Sequence, residues 1–146
     1  MTQNIIYYDD LEIGQEFPEL RHTMTAEIVS KYAEAVEDFN PLFVDKEYAQ
    51  QSEVGAQIAH PSIASTYILE SYKTAGAQGP PGGVHAKQKF VFYEPVIVGE
   101  KLITKAKVLN KYIKKEKHKF VELETITKNE DGRDKVYSLI TIIWAK

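Results

Sequence analysis

No cysteine occurs in this 146-residue sequence. Disulfides, thiolate nucleophiles and cysteine-type zinc sites are therefore excluded, and the composition suits a reducing cytoplasm. Long apolar runs are missing too: no stretch reaches the ~18 uncharged apolar residues that a membrane-spanning helix needs. Met1 is followed by polar and acidic residues rather than by basic residues and an apolar run, so no signal peptide is expected and the chain reads as soluble and cytoplasmic. Nor is there a surplus of positive charge. A net charge of −3 leaves no electrostatic footprint for nucleic acid, which makes small molecules or protein partners the expected ligands. The length fits one domain over residues 1–146, with a core large enough to fold on its own.

What is present changes character along the chain. Residues 25–36 place Ile28, Val29, Tyr32, Ala35 and Val36 on one helical face, with Thr25 as N-cap and Glu27 in the first turn. Asp38-Phe39-Asn40-Pro41 is turn chemistry that ends this helix, because Asn and Asp bond their own backbone and proline pushes its predecessor out of the helical region. Asp45 is placed to cap a short helix from Lys46 to about Ser52. Residues 54–69 carry no Asp, Glu, Lys or Arg, and from Pro61 they read as a helix apolar on most sides, which belongs inside the molecule. GAQGPPGG, residues 76–83, is a loop within the domain. Four strands are expected after it, at 84–94, 101–112, 117–128 and 135–144, with turns at Val98-Gly99-Glu100 and Asn129-Glu130-Asp131-Gly132. The last strand is apolar on both faces and should be central. Together these elements predict an α+β fold in which a long curved antiparallel sheet wraps around one central buried helix.

The chemistry is concentrated in residues 32–62, YAEAVEDFNPLFVDKEYAQQSEVGAQIAHPS. This segment holds Tyr32-Ala33, then Asp38, Asn40, Pro41 and Asp45, and finally Ile58-Ala59-His60; further on come Glu94-Pro95-Val96 and Gly99-Glu100. On these residues the chain resembles the MaoC-like hot-dog-fold hydratases and dehydratases, with the GDxNPxHxD segment, the His before the central helix and the PV..GD turn of that family. The resemblance covers nearly the whole chain. It implies a hot-dog fold and a paired assembly with the acyl chain held between two such folds. The implied activity is that of an (R)-specific 3-hydroxyacyl-thioester dehydratase or enoyl-thioester hydratase. Its substrate would be an acyl thioester of coenzyme A or acyl carrier protein, with no separate cofactor.

In that family an Asp and a His five residues apart grip one water for general acid–base catalysis. Asp38 fills the first position here, but the second is Phe43, which has no proton to give or take. At the helix start the family commonly has Gly after His, whereas this chain has Pro61, which lacks the backbone N–H that could polarise a thioester carbonyl. Ser62 and Ile63 offer the next backbone donors. Both departures resemble the N-terminal MaoC-like dehydratase domains and the substrate-binding subunits of mycobacterial-type heterodimeric acyl-carrier-protein dehydratases, as does the strand opening Gly83-Val84-His85. There the catalytic pair comes from a partner hot dog and the His-less fold holds the acyl chain. The resemblance thus implies Asp38 as a catalytic residue, with His85 or His60 as a substitute base, and Asn40, Phe43, Pro61, Ser62 and Ile63 as substrate contacts. The assembly would be a homodimer or a heterodimer with a His-bearing subunit. A non-catalytic acyl-thioester-binding protein stays open as an alternative, as does a thioesterase in which a carboxylate activates water.

Each of these residues also has a plainer reading. Asp38 can cap a turn, His60 can bond backbone at the entry to the buried helix, and His85 shares a strand face with Lys87, Lys89, Val91 and Tyr93 as a surface histidine would. His22, His60, His85 and His118 have no ligand-like spacing for a metal. A nucleophilic pair of Ser62 and His60 lacks an identifiable orienting third group in the sequence. The basic run 111–119 reads as the solvated end of a hairpin, or else as a contact for coenzyme A phosphates or an acidic carrier protein.

Overall fold

The computed structural model describes residues 5–73 and 78–145. Five antiparallel strands form one sheet: β1 (Leu20–Thr23), β2 (Val84–Phe92), β3 (Lys101–Lys114), β4 (His118–Asn129) and β5 (Asp134–Trp144), in the spatial order β1-β3-β4-β5-β2. The last four match the expected strands closely. β1 was not foreseen, because four residues containing Arg21 and His22 carry too little alternation to stand out. β5 is an interior strand, in keeping with apolar residues on both of its faces, although β4 occupies the middle. The turns fall where glycine supplies a left-handed backbone, at Gly99 (φ 95°) and Gly132 (φ 79°). At the β3–β4 hairpin tip Lys115 (φ 52°) and Glu116 (φ 59°) take the same region without glycine. Lys111 departs from the solvated-hairpin expectation: its ammonium donates to the carbonyls of Tyr8 (2.6 Å) and Leu11 (2.7 Å) and lies over the Tyr8 ring, pinning the N-terminal segment. Of the expected 76–83 loop, residues 76 and 77 lie outside the described residues.

Four helices accompany the sheet: α1 (Ala26–Ala35), α2 (Pro41–Val44), α3 (Lys46–Gln51) and α4 (Ala64–Lys73), the last preceded by a 3-10 turn at Pro61–Ile63. α4 packs over β3, and its Ala64, Tyr67 and Ile68, with Ile63 of the preceding turn, share the main core with Leu102, Val108, Leu123 and Ile140. Each such large apolar side chain contributes about 1.5–3 kcal/mol by leaving water. The helix is buried on one side rather than on most sides, since Ser65, Thr66, Glu70 and Lys73 are exposed. Small polar residues had made it read as more uniformly apolar than it is. In α1 the buried stripe is Val29 and Ala33 flanked by Tyr32, while Ile28, Ala35 and Val36 of the expected face are exposed.

A strap of extended chain joins the helical layer to the sheet. Ile58 N–H donates to the Leu42 carbonyl and Gln57 Nε2 to the Phe43 carbonyl, while Ala59 N–H reaches Val96 O and Val98 N–H reaches Gln57 O. The turn on its sheet side is held by Glu100, whose carboxylate accepts from Ile97 N–H and Asn129 and pairs with the buried Lys135 at 2.9 Å. Among the described residues no helix is long and apolar enough to cross a membrane.

Candidate active site

The site begins where α1 stops. Thr25 Oγ1 caps α1 by accepting from Ile28 N–H, and at the other end Glu37 takes a left-handed conformation (φ 55°) that brings Asp38 N–H back to the Ala33 carbonyl. Polar side chains then organise the descent into the next two helices. Asp38 Oδ1 accepts from Asn40 N–H (3.1 Å), Asn40 Oδ1 accepts from Leu42 N–H (3.0 Å) as the cap of α2, and Asp45 Oδ1 accepts from Tyr48 N–H (3.0 Å) as the cap of α3. Asn40 is thus occupied as a cap. Asp38 spends only one oxygen on its turn, which leaves Oδ2 directed elsewhere.

That oxygen meets His60, 22 residues further along, at 3.0 Å from Nε2. The imidazole lies over Phe43 with ring centres 5.0 Å apart and has Tyr32 on another side at 5.7 Å. Phe43 is buried, so its ring forms a wall for a histidine supplied by a different segment. His60 also caps the turn that leads into α4, for its Nδ1 accepts from Ser62 N–H at 3.1 Å. A nitrogen that accepts carries no proton, which fixes the neutral tautomer with hydrogen on Nε2, donated to Asp38. Ser62 Oγ stands 2.9 Å from the same Nδ1 and 2.8 Å from the Tyr32 hydroxyl. With Nδ1 as acceptor, the hydrogen bonds run in one direction: Tyr32 to Ser62, Ser62 to His60, His60 to Asp38. The His60 and Asp38 side chains remain 21% and 43% exposed, so solvent and substrate can reach them.

His60 also borders a cavity of about 170 Å³, lined by Ile58, Ile63, Tyr67, Pro95 and Val96. Burial pushes the Tyr67 phenol up to about 12, which keeps it neutral in this apolar wall. The Ser62 and Ile63 amides, expected to face a thioester carbonyl, are both engaged inside the chain, Ser62 N–H with His60 Nδ1 and Ile63 N–H with the His60 carbonyl at 3.0 Å. Ile63 is buried in the core, whereas Pro61 is exposed and lines the cavity.

His85 is not brought to this group. It is exposed on the sheet-edge strand β2, seven residues before Phe92, which lines the cavity beside His60, or roughly 23 Å along a strand rising ~3.3 Å per residue. A register irregularity between His85 and Lys87 breaks the alternation that would have put it on one face with Lys87 and Lys89. Tyr32 is the member that sequence reasoning did not name as a site residue, having been read as part of a helix face and of the family resemblance. Its place three residues beyond Val29, at the edge of the buried stripe, is the signal that it stands where α1 meets the start of α4.

Residues 12–136 match the family model described as the FAS1-like dehydratase domain region. A 3-hydroxybutyryl-CoA dehydratase of Methylorubrum extorquens is 28% identical over 104 residues, 71% of this chain and 64% of that protein. Two further curated relatives align over 63% and 64% of their own length, so the chain spans less than two thirds of these relatives. Among solved structures, the R-hydratase PhaJ1 of Pseudomonas aeruginosa superposes with a TM-score of 0.83 at 26% identity, over 97% of this chain and 87% of that one. The HadBC (3R-hydroxyacyl-ACP dehydratase) complex of Mycobacterium tuberculosis gives 0.75 at 20% identity, over 89% and 95%.

Proposed function

The chain belongs to the FAS1-like dehydratase-region family and has a MaoC-like hot-dog fold, and on that premise we propose that it is a hydro-lyase acting on acyl thioesters. The reaction adds water to the double bond beside the thioester, or removes it from the 3-hydroxyacyl form. The observation that carries this reading is the 3.0 Å contact between Asp38 Oδ2 and His60 Nε2 beside an apolar cavity. Each carboxylate oxygen retains acceptor capacity beyond the bonds described. A water held by Asp38 gives it a proton as its oxygen bonds to the β-carbon, and the carboxylic acid so formed returns a proton to the α-carbon. His60 fixes the orientation of the carboxylate throughout through its Nε2–H. It takes the place that Phe43 leaves vacant in the Asp-to-His spacing.

The substrate is a thioester of coenzyme A or acyl carrier protein, and the working unit is a pair of hot dogs. In support of pairing, among the described residues β2 has no strand on its outer side, and Val84 and Phe92 on it and Tyr93 just after it are exposed. The relatives' names support the lyase class. Phe43 favours a second reading, in which the chain holds the acyl group for a His-bearing partner hot dog.

The test is hydration of crotonyl and longer enoyl thioesters by the purified chain, read as loss of the conjugated double bond. Turnover by the chain alone is expected, reduced about 10²–10⁴-fold in Asp38→Asn. Binding without turnover, relieved only by adding a His-bearing subunit, would move the chemistry to the partner.

A further inference from the structure

We propose that Ser62 is a nucleophile, and that this site has a second activity: transfer of the acyl group from a thioester to Ser62 and then to water. This goes beyond the hydro-lyase reading and takes from it only the substrate class. The side chains that carry it come together only in the fold. A serine hydroxyl 2.9 Å from an imidazole nitrogen, with the other nitrogen 3.0 Å from a carboxylate, satisfies the nucleophile, base and orienting-group relation of an activated serine. Such a triad is recognised by geometry and roles, whatever the chain order and the fold. The orienting group absent from the local sequence is Asp38, delivered by the turn after α1.

The hydrogen-bond direction is the productive one. Nδ1 presents its one lone pair to Ser62, where Oγ at 2.9 Å shares it with the backbone N–H at 3.1 Å, while the proton on Nε2 is held by Asp38. As Oγ bonds to the thioester carbonyl carbon, its proton moves to Nδ1, which releases the Ser62 N–H, and the carbonyl electron pair moves onto oxygen. The imidazolium is stabilised by the Asp38 carboxylate. Collapse of the tetrahedral adduct breaks the carbon–sulfur bond, and the leaving thiolate takes the proton from Nδ1, leaving an ester on Ser62. Water then attacks that ester, giving a proton to Nδ1; the carbon–oxygen bond to Ser62 breaks, Oγ recovers the proton, and a carboxylic acid leaves.

Tyr32 has a part in this. Its hydroxyl, 2.8 Å from Oγ, is the side-chain donor beside the carbon under attack and can follow the negative charge onto the carbonyl oxygen. Ser62 is exposed, and the cavity that begins at its neighbours Pro61 and Ile63 has room for a group of about benzene size.

A fluorophosphonate probe, which reports activated serines without needing a thioester, tests the proposal on the purified full chain. Intact mass and peptide mapping should show one adduct, on Ser62, absent in Ser62→Ala and formed at least about 10²-fold more slowly in His60→Gln. Asp38→Asn provides a second slowed variant if His60→Gln does not fold. With crotonyl thioester, free thiol should appear together with a crotonyl mass increment on Ser62. Labelling of the folded chain no faster than of the chain in denaturant would overturn the proposal, as would a wild-type rate in a folded His60→Gln. Because the probe needs no thioester, its failure leaves the hydration assay to judge the lyase reading separately.

Discussion

Asp38 divides its carboxylate, one oxygen holding the turn that aims the residue and the other holding His60. The turn-capping expected of this aspartate is therefore observed, and the oxygen that faces His60 is the one the proposed hydration would use. Two other ionisable residues lead to a pH prediction. Burial holds His22 below its ordinary value of 6.5 against the weaker upward pull of Glu70, and among the described residues neither ring nitrogen has a hydrogen-bond partner. Between 6.5 and its lowered folded value the unfolded chain binds more protons, so stability falls as pH drops. Burial pushes Glu100 up, but the Ile97 N–H, Lys135 and Asn129 together outweigh it and hold the carboxyl below 4.5. Its contribution is present above 4.5 and is lost as pH falls through the depressed folded value. Thermal unfolding should therefore show a decline starting near pH 6.5 and steepening below 4.5. His22→Phe should remove the first phase; identical profiles for the two proteins between about pH 7 and 5 would show that His22 is not its source.

The elements were legible where their cause is local. Thr25 and Asp45 cap the helices they were expected to cap, and Gly99 and Gly132 turn the chain where their backbone freedom is required. β1 was not legible, because a four-residue edge strand is defined by its neighbour β3 rather than by its own pattern. The same distinction runs through the site: Asp38 could be picked out within its segment, but its partnership with His60 depends on docking two elements 22 residues apart. α4, which follows His60, packs against β3. Ile68 on its inner side is fully buried, and Ile68→Ala should lower the free energy of unfolding by about 2–5 kcal/mol in a denaturant titration. A loss well under 1 kcal/mol would mean that α4 contributes little to holding the layers together.

At the scale of the whole molecule, β1 and β2 are the two edges, and they are finished differently. β1 is short, whereas β2 runs for nine residues with most of its side chains exposed. Long bare edges invite pairing, so light scattering should report a mass of two chains at micromolar concentration. Phe92→Lys combined with Tyr93→Lys should shift it toward one; an unchanged mass would place any interface elsewhere. The strap at 57–59 has a wider consequence. It runs between α2 and the turn that the buried Lys135–Glu100 pair anchors, and His60 follows directly after it. The separation of Asp38 and His60 is therefore inherited, largely through main-chain bonds with the Gln57 side chain beside them, from a charge pair on the sheet side of the strap. Under the proposed hydro-lyase reading, side chains around the Asp38–His60 pair, Phe43 among them, can be exchanged while the distance between the two is kept by a part of the molecule that stands behind them.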